Sequence, residues 1–136
     1  TGLDQIREMG RAYLSFSQEY PALFEALARF ELHSPAVELA TGAEAACVQS
    51  GDSVHQVMIA AIDAGVRDGS IRADVGPPML VSITLWGFMH GVIQLAATKT
   101  NVLAHDGVAA QSLFEQALAM ATRSLVAPEK NESNNE

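Results

Sequence analysis

The segment from Met79 to Ala97 constrains the fold more than any other part of the chain, because it holds no Asp, Glu, Lys or Arg. It follows Pro77-Pro78, a pair suited to the first turn of a helix. Its length approaches the ~20 residues that cross a bilayer. Ser82, Thr84, His90 and Gln94 interrupt its apolar character, and ordinary amphipathic helices surround it. A helix buried at the centre of an oligomer is the better expectation. On a helical wheel Met79, Ile83, Trp86, His90, Ile93 and Ala97 share one face, while Val81, Leu85, Phe88, Val92 and Ala96 lie roughly opposite. Thr84, Gly87, Gly91 and Thr98 form a small-residue band between them. A helix apolar on two faces must be covered on both, which a subunit interface does naturally.

The remaining periodicity is helical. Leu3, Ile6, Met9, Tyr13, Phe16 and Tyr20 recur at three- and four-residue steps, predicting a helix from Leu3 to Ser17 that stops before Pro21. A second helix is expected from Pro21 to Leu32, ended by His33-Ser34-Pro35. Val37–Gln49 is expected to be helical. Ser50-Gly51-Asp52-Ser53 reads as a turn that caps a further helix, Val54–Asp68, closed by Gly69. The long helix then spans Pro77–Lys99, Thr100–His105 reads as a loop, Asp106 as an N-cap, and Gly107–Val126 as the last helix. The fold class is therefore all-α, with about six helices.

On the last helix Ala110, Ala117, Ala121 and Ser124 make a small-residue stripe flanked by Leu113, Phe114, Leu118, Met120 and Leu125. Such stripes let helix axes approach closely. The last two helices are expected to form a dimeric four-helix bundle across a two-fold axis. Its interface candidates are Leu85, Gly87, Phe88, Gly91, Val92, Leu113, Phe114, Ala117, Leu118 and Ala121. A monomeric bundle with an alanine-rich core is the plainer alternative.

Residues 1–127 are expected to form one domain, since 136 residues suffice for a single core. Residues 128–136 read as a disordered polar tail. A formal net charge of −8, with eight scattered basic residues, leaves no stripe for phosphates, so this chain alone should not bind nucleic acid. Cys47 is alone and the N-terminus does not read as a signal peptide, which fits a cytoplasmic protein without disulfides. The histidines and Cys47 show no metal-ligand spacing, and no nucleophile–base motif occurs. Neither catalysis, a metal nor a cofactor is expected, and no membrane partner.

Three runs carry a family resemblance. Gly10-Arg11-Ala12-Tyr13-Leu14-Ser15-Phe16, followed by Glu19-Tyr20-Pro21-Ala22-Leu23-Phe24, resembles the start of many TetR-family C-terminal domains. Gly65-Val66-Arg67-Asp68-Gly69-Ser70-Ile71-Arg72 is similar to a later turn of that family, and Trp86-Gly87-Phe88-Met89-His90-Gly91 to the Trp-x-x-x-His-Gly signature of one subgroup. The resemblance extends nearly to Val126. It implies a helical domain that binds a small-molecule effector, dimerises through its last two helices, and controls operator binding by a repressor. In that family a helix-turn-helix module of about fifty residues performs the DNA contact. No such pattern occurs here, so the resemblance implies that the module is missing from this chain.

The implied pocket is lined by apolar and aromatic side chains. Candidates are Tyr13, Phe16, Phe24, Leu27, Phe30, Val57, Met58, Ile62, Trp86, Met89 and His90, with plain core packing as the alternative for each. An enclosed cavity is expected between the Trp86 helix and the first two helices, suited to an apolar or aromatic effector. His90 could hydrogen-bond a ligand, a neighbour in the chain, or a partner across the dimer. A stand-alone helical interaction module without an effector is the alternative function.

Overall fold

The computed structural model describes residues 1–30 and 41–128. Helix α1 (Gly2–Glu19) starts at a capping box in which the Thr1 hydroxyl accepts from the Asp4 amide and the Asp4 carboxylate reaches back. It ends at Tyr20, because Pro21 opens α2 (Pro21–Arg29). Helix α2 buries only Phe24, and the chain turns extended at Phe30. The expected continuation to Leu32, the break at His33-Ser34-Pro35 and the expected start at Val37 lie outside the described residues.

Helix α3 (Gly42–Asp68) corrects the expected turn at Ser50-Gly51-Asp52-Ser53, because one helix runs straight through it. The cap lies upstream, where Thr41 and Glu44 form a second capping box. Within the helix the Ser50 and Ser53 hydroxyls turn back onto the carbonyls of Ala46 and Gln49, at 2.9 and 2.8 Å. These hydroxyls are satisfied inside the helix instead of capping a new one. Gly69, at φ +77°, closes α3 in the left-handed conformation that glycine adopts without strain.

Helix α4 (Pro78–Thr98) follows with proline in its first turn. Thr100–His105, expected as a loop, forms a short helix, α5. Asp106 ends α5, and helix α6 (Ala110–Leu125) begins after Ala109 without a side-chain cap. Among the described residues the only extended pairing is the antiparallel bridge between Ile71 and Val126. The Arg72 amide donates to the Leu125 carbonyl at 2.9 Å, tying the connector after α3 to the end of α6. The described tail stops at Pro128, so the expected disordered tail is otherwise outside the described residues.

Helix α1 packs against α3, α2, α6 and α4. One buried cluster joins Leu3, Ile6, Ala61, Ile62, Ile71 and Leu125; another joins Phe24, Ile93, Ala96 and Phe114. At the first cluster α1 and α3 approach at Gly2 and Gly65, where a β-carbon on Gly2 would lie 2.1 Å from the Gly65 nitrogen.

The same junction carries a charge-based clasp. The Gly2 amide donates to the Asp68 carboxylate at 2.8 Å, and the Ser70 amide donates to its other oxygen at 2.9 Å. The Leu3 amide donates to the Ser70 hydroxyl at 3.2 Å. The end of α3 thus satisfies free amides at the start of α1. The Ser70 hydroxyl, then the Gly2 and Ser70 amides, hold the Asp68 carboxyl down to about 2 from 3.8. Ionised Asp68 therefore favours the folded state. That contribution is complete above the unfolded value of 3.8 and is lost as pH falls toward about 2. Melting temperature is expected to fall across this acid window, and Asp68→Asn to flatten that part of the profile. A profile unchanged by Asp68→Asn would contradict the clasp.

Helix α4 alone among the described helices is long and apolar enough to span a membrane. Ser82, Met89, Ile93 and Ala96 are buried against the rest of the chain, while Leu80, Thr84, Gly87, Phe88, Gly91 and Leu95 are exposed along the other side. The mostly buried core helix of a soluble protein satisfies the same length and composition, but most of the apolar window of α4 lies outside the core of the chain.

Candidate functional site

Three side chains on α4 recur at four-residue steps: Ser82, Trp86 and His90. That spacing places them along one side of the helix. Opposite them stand Tyr13 and Phe16 from α1, Phe24 from α2 and His55 from α3. The Trp86 indole N–H donates to the Tyr13 hydroxyl at 3.0 Å. The same hydroxyl lies 2.6 Å from His90 Nδ1. Beside this chain, His55 Nδ1 lies 2.7 Å from the hydroxyl of fully buried Ser82, and the His55 ring meets Trp86 edge-on at 6.1 Å.

Aromatic faces flank the polar line, which is open to solvent at Trp86, 40% exposed. Phe24 stacks on the His90 ring with centroids 4.5 Å apart, and Tyr13 meets Phe24 at 5.5 Å. Phe16 lies against Tyr13 at 6.3 Å. Burial raises the Tyr13 pKa, despite the opposing hydrogen bond from Trp86. Burial also lowers that of His90, keeping the imidazole neutral near neutral pH. His90 Nε2 is buried and has no hydrogen-bond partner among the described residues. The arrangement offers ring faces and one unpaired polar atom, with its own rings in contact across the space between them.

Five expected pocket residues therefore meet: Tyr13, Phe16, Phe24, Trp86 and His90. The other six do not join this ring contact. Leu27 and Phe30 are exposed near the end of α2, and Val57 is exposed on α3. Ile62 is fully buried in the other core cluster, against which Met58 packs. Met89 is buried and borders a groove between α1 and α6.

The expected enclosed cavity also needs correction, because the aromatic rings touch one another rather than surrounding a void. Two open grooves lie elsewhere. One, of about 820 Å³, runs between α1 and α6; the other, of about 450 Å³, lies beside Pro77, Leu80 and Thr84.

His55 and Ser82 were missing from the sequence-derived pocket. The four-residue spacing from Ser82 through Trp86 to His90 was a usable signal for Ser82. Nothing in the sequence spacing brings His55 across from α3. Among the described residues no group of three His, Cys, Asp or Glu side chains is placed to hold a metal ion.

Tyr13 links the two polar partners, so Tyr13→Phe tests the arrangement with little change in ring volume. Loss of the hydroxyl is expected to cost about 1–3 kcal/mol, mainly by leaving His90 Nδ1 unpaired. Urea denaturation provides the measurement, and an unchanged midpoint and slope would contradict the assigned hydrogen bonds.

The interface candidates separate into two groups. Gly87, Phe88 and Gly91 are exposed on α4, while Leu85, Val92, Leu113 and Leu118 are partly buried. Phe114, Ala117 and Ala121 are buried within the chain, correcting their expected availability to a partner. Of the small-residue stripe of α6, Ala117 and Ala121 pack inside the protomer, while Ala110 and Ser124 are exposed. Gly10 of α1 shows how tight that packing is, since its β-carbon would lie 2.7 Å from Leu118 Cδ1. Leu80 and Leu95 on α4 and Met120 on α6 are exposed apolar residues that the interface expectation omitted.

The model of the family described as "Tetracyclin repressor-like, C-terminal domain" matches residues 6–121. No curated protein and no solved structure matches the chain.

Proposed function

We propose, for a chain that belongs to the tetracyclin repressor-like C-terminal domain family, that it is the effector-binding and dimerisation domain of a cytoplasmic transcriptional repressor. The observation carrying this reading is the Trp86–Tyr13–His90 hydrogen-bonded line among aromatic rings, between helices of such a domain. A small apolar or aromatic effector would stack in this cluster. A DNA-binding module outside this chain would contact the operator. The exposed side of α4 would meet a second copy, making α4 an interface helix rather than a membrane span.

Control would follow from linkage. An effector that binds more tightly to the arrangement unable to hold DNA shifts the population toward that arrangement. Whatever factor the effector takes from operator affinity, the operator must take from effector affinity. The test is an effector screen on the full-length repressor, followed by paired titrations with and without operator. Equal, reciprocal weakening is expected, with the effector response lost in a Tyr13→Phe, His90→Phe double variant. An effector whose binding and operator response survive that variant would overturn the site assignment.

A further inference from the structure

His90 Nε2 combines two properties: it is buried, and no group among the described residues bonds to it. The ring tautomer is assigned from the surrounding hydrogen bonds, on the ground that the Tyr13 proton has no other acceptor within reach among the described residues. The indole of Trp86 can only donate, so the Tyr13 hydroxyl accepts that bond. Tyr13 then has one proton to place, and His90 Nδ1 stands 2.6 Å away. With Tyr13 donating, Nδ1 is the acceptor, and the neutral imidazole carries its proton on Nε2. The unpartnered atom is therefore an N–H donor.

Resting on the effector-sensing reading above, we propose that the site takes an uncharged, flat aromatic ligand with a carbonyl-type oxygen, which accepts the hydrogen bond from His90 Nε2. The surroundings select the rest of the molecule. Phe24 already stacks on the imidazole face, and Tyr13 and Trp86 lie beside it. Among the described residues no charged side chain hydrogen-bonds into the cluster, and burial alone accounts for the lowered His90 pKa. A carboxylate would enter without a counter-charge, whereas a ketone or amide oxygen needs only the donor. Since Nε2 is covered, binding must displace a covering ring.

Three probes of similar shape separate the terms: 2-acetylnaphthalene, 2-ethylnaphthalene and 2-naphthoate. Calorimetry on the purified chain is expected to rank the ketone about tenfold or more above the hydrocarbon, the amount that one well-made buried hydrogen bond can supply. The carboxylate should bind more weakly than the ketone. Nitrogen-15 NMR of the histidine rings should show the Nε2–H form of His90 before any ligand is added. Its Nε2 resonance should shift with the ketone but not with the hydrocarbon. In His90→Phe the ketone's advantage should disappear while hydrocarbon binding persists, which also shows that the variant is folded.

Equal binding of ketone and hydrocarbon, preference for the carboxylate, or an Nδ1–H His90 in the free protein would each overturn this inference alone. Failure of all three probes to bind would contradict the aromatic-effector reading itself.

Discussion

Arginine in place of Gly91 is expected to strengthen the folded protomer and abolish its self-association. Nothing lies within 4 Å of a β-carbon built on Gly91, so the side chain meets no obstruction inside the chain. Glycine within a helix is less favourable than arginine by just under about 1 kcal/mol, and the substitution removes that penalty. In the proposed dimer the same position lies between Gly87, Phe88 and Leu95 on the exposed side of α4. A long charged side chain there would prevent close approach and bury an unpaired charge. We expect the dimer dissociation constant to rise at least about a hundredfold, near 3 kcal/mol on the affinity scale. Light scattering on a sizing column measures association, and thermal unfolding of the monomeric variant shows that the protomer is folded by itself. A Gly91→Arg protein that still dimerises would place the interface elsewhere.

Alanine at Gly2 should have the largest effect on protomer stability. Its β-carbon would sit 2.1 Å from the Gly65 nitrogen and 2.4 Å from the Ala61 carbonyl oxygen. Both are backbone atoms of α3, so no side-chain rotation relieves the clash. The two helices must separate, disturbing the Asp68 clasp and the cluster around Leu3 and Ile62. Overpacking of this kind costs about 1–3 kcal/mol, and a rigid backbone collision belongs at or above the upper end. Gly65→Ala makes a useful comparison. Its β-carbon would meet the Ile71 side chain at 2.4 Å, and alanine recovers about 1 kcal/mol of helix propensity. Chemical denaturation should therefore find Gly2→Ala the more damaging of the two. The reverse order would mean that α1 and α3 do not approach as described.

The sequence-to-structure differences follow from two kinds of local chemistry. Apolar periodicity placed the helices well where the buried stripe was narrow, as in α1, where Leu3 and Ile6 face the core. Proline and glycine marked the start of α2 and the end of α3. The serines at 50 and 53 are ambiguous in sequence because a hydroxyl that can cap a helix can also bond back to the carbonyl four residues earlier within one. Alanine on α6 misled in a related way. A small residue shows that something approaches closely, but not whether the neighbour belongs to the same chain or to a second one. At the site, Trp86 and His90 were legible from their spacing, as were Tyr13 and Phe16 one helix away. His55 was not, because its place beside Ser82 depends on how α3 crosses α4. Leu27, Phe30 and Val57 had suitable chemistry, but their helices turn them outward.

The proposed dimer links the exposed α4 face to the proposed function, and sedimentation equilibrium of the unmodified chain at low micromolar concentration tests it most directly. The interface should resemble obligate ones, which commonly bury more than about 2,000 Å². The predicted result is a single species of twice the 14.4 kDa chain mass, unchanged on dilution through the micromolar range. A species at 14.4 kDa across that range would contradict the account.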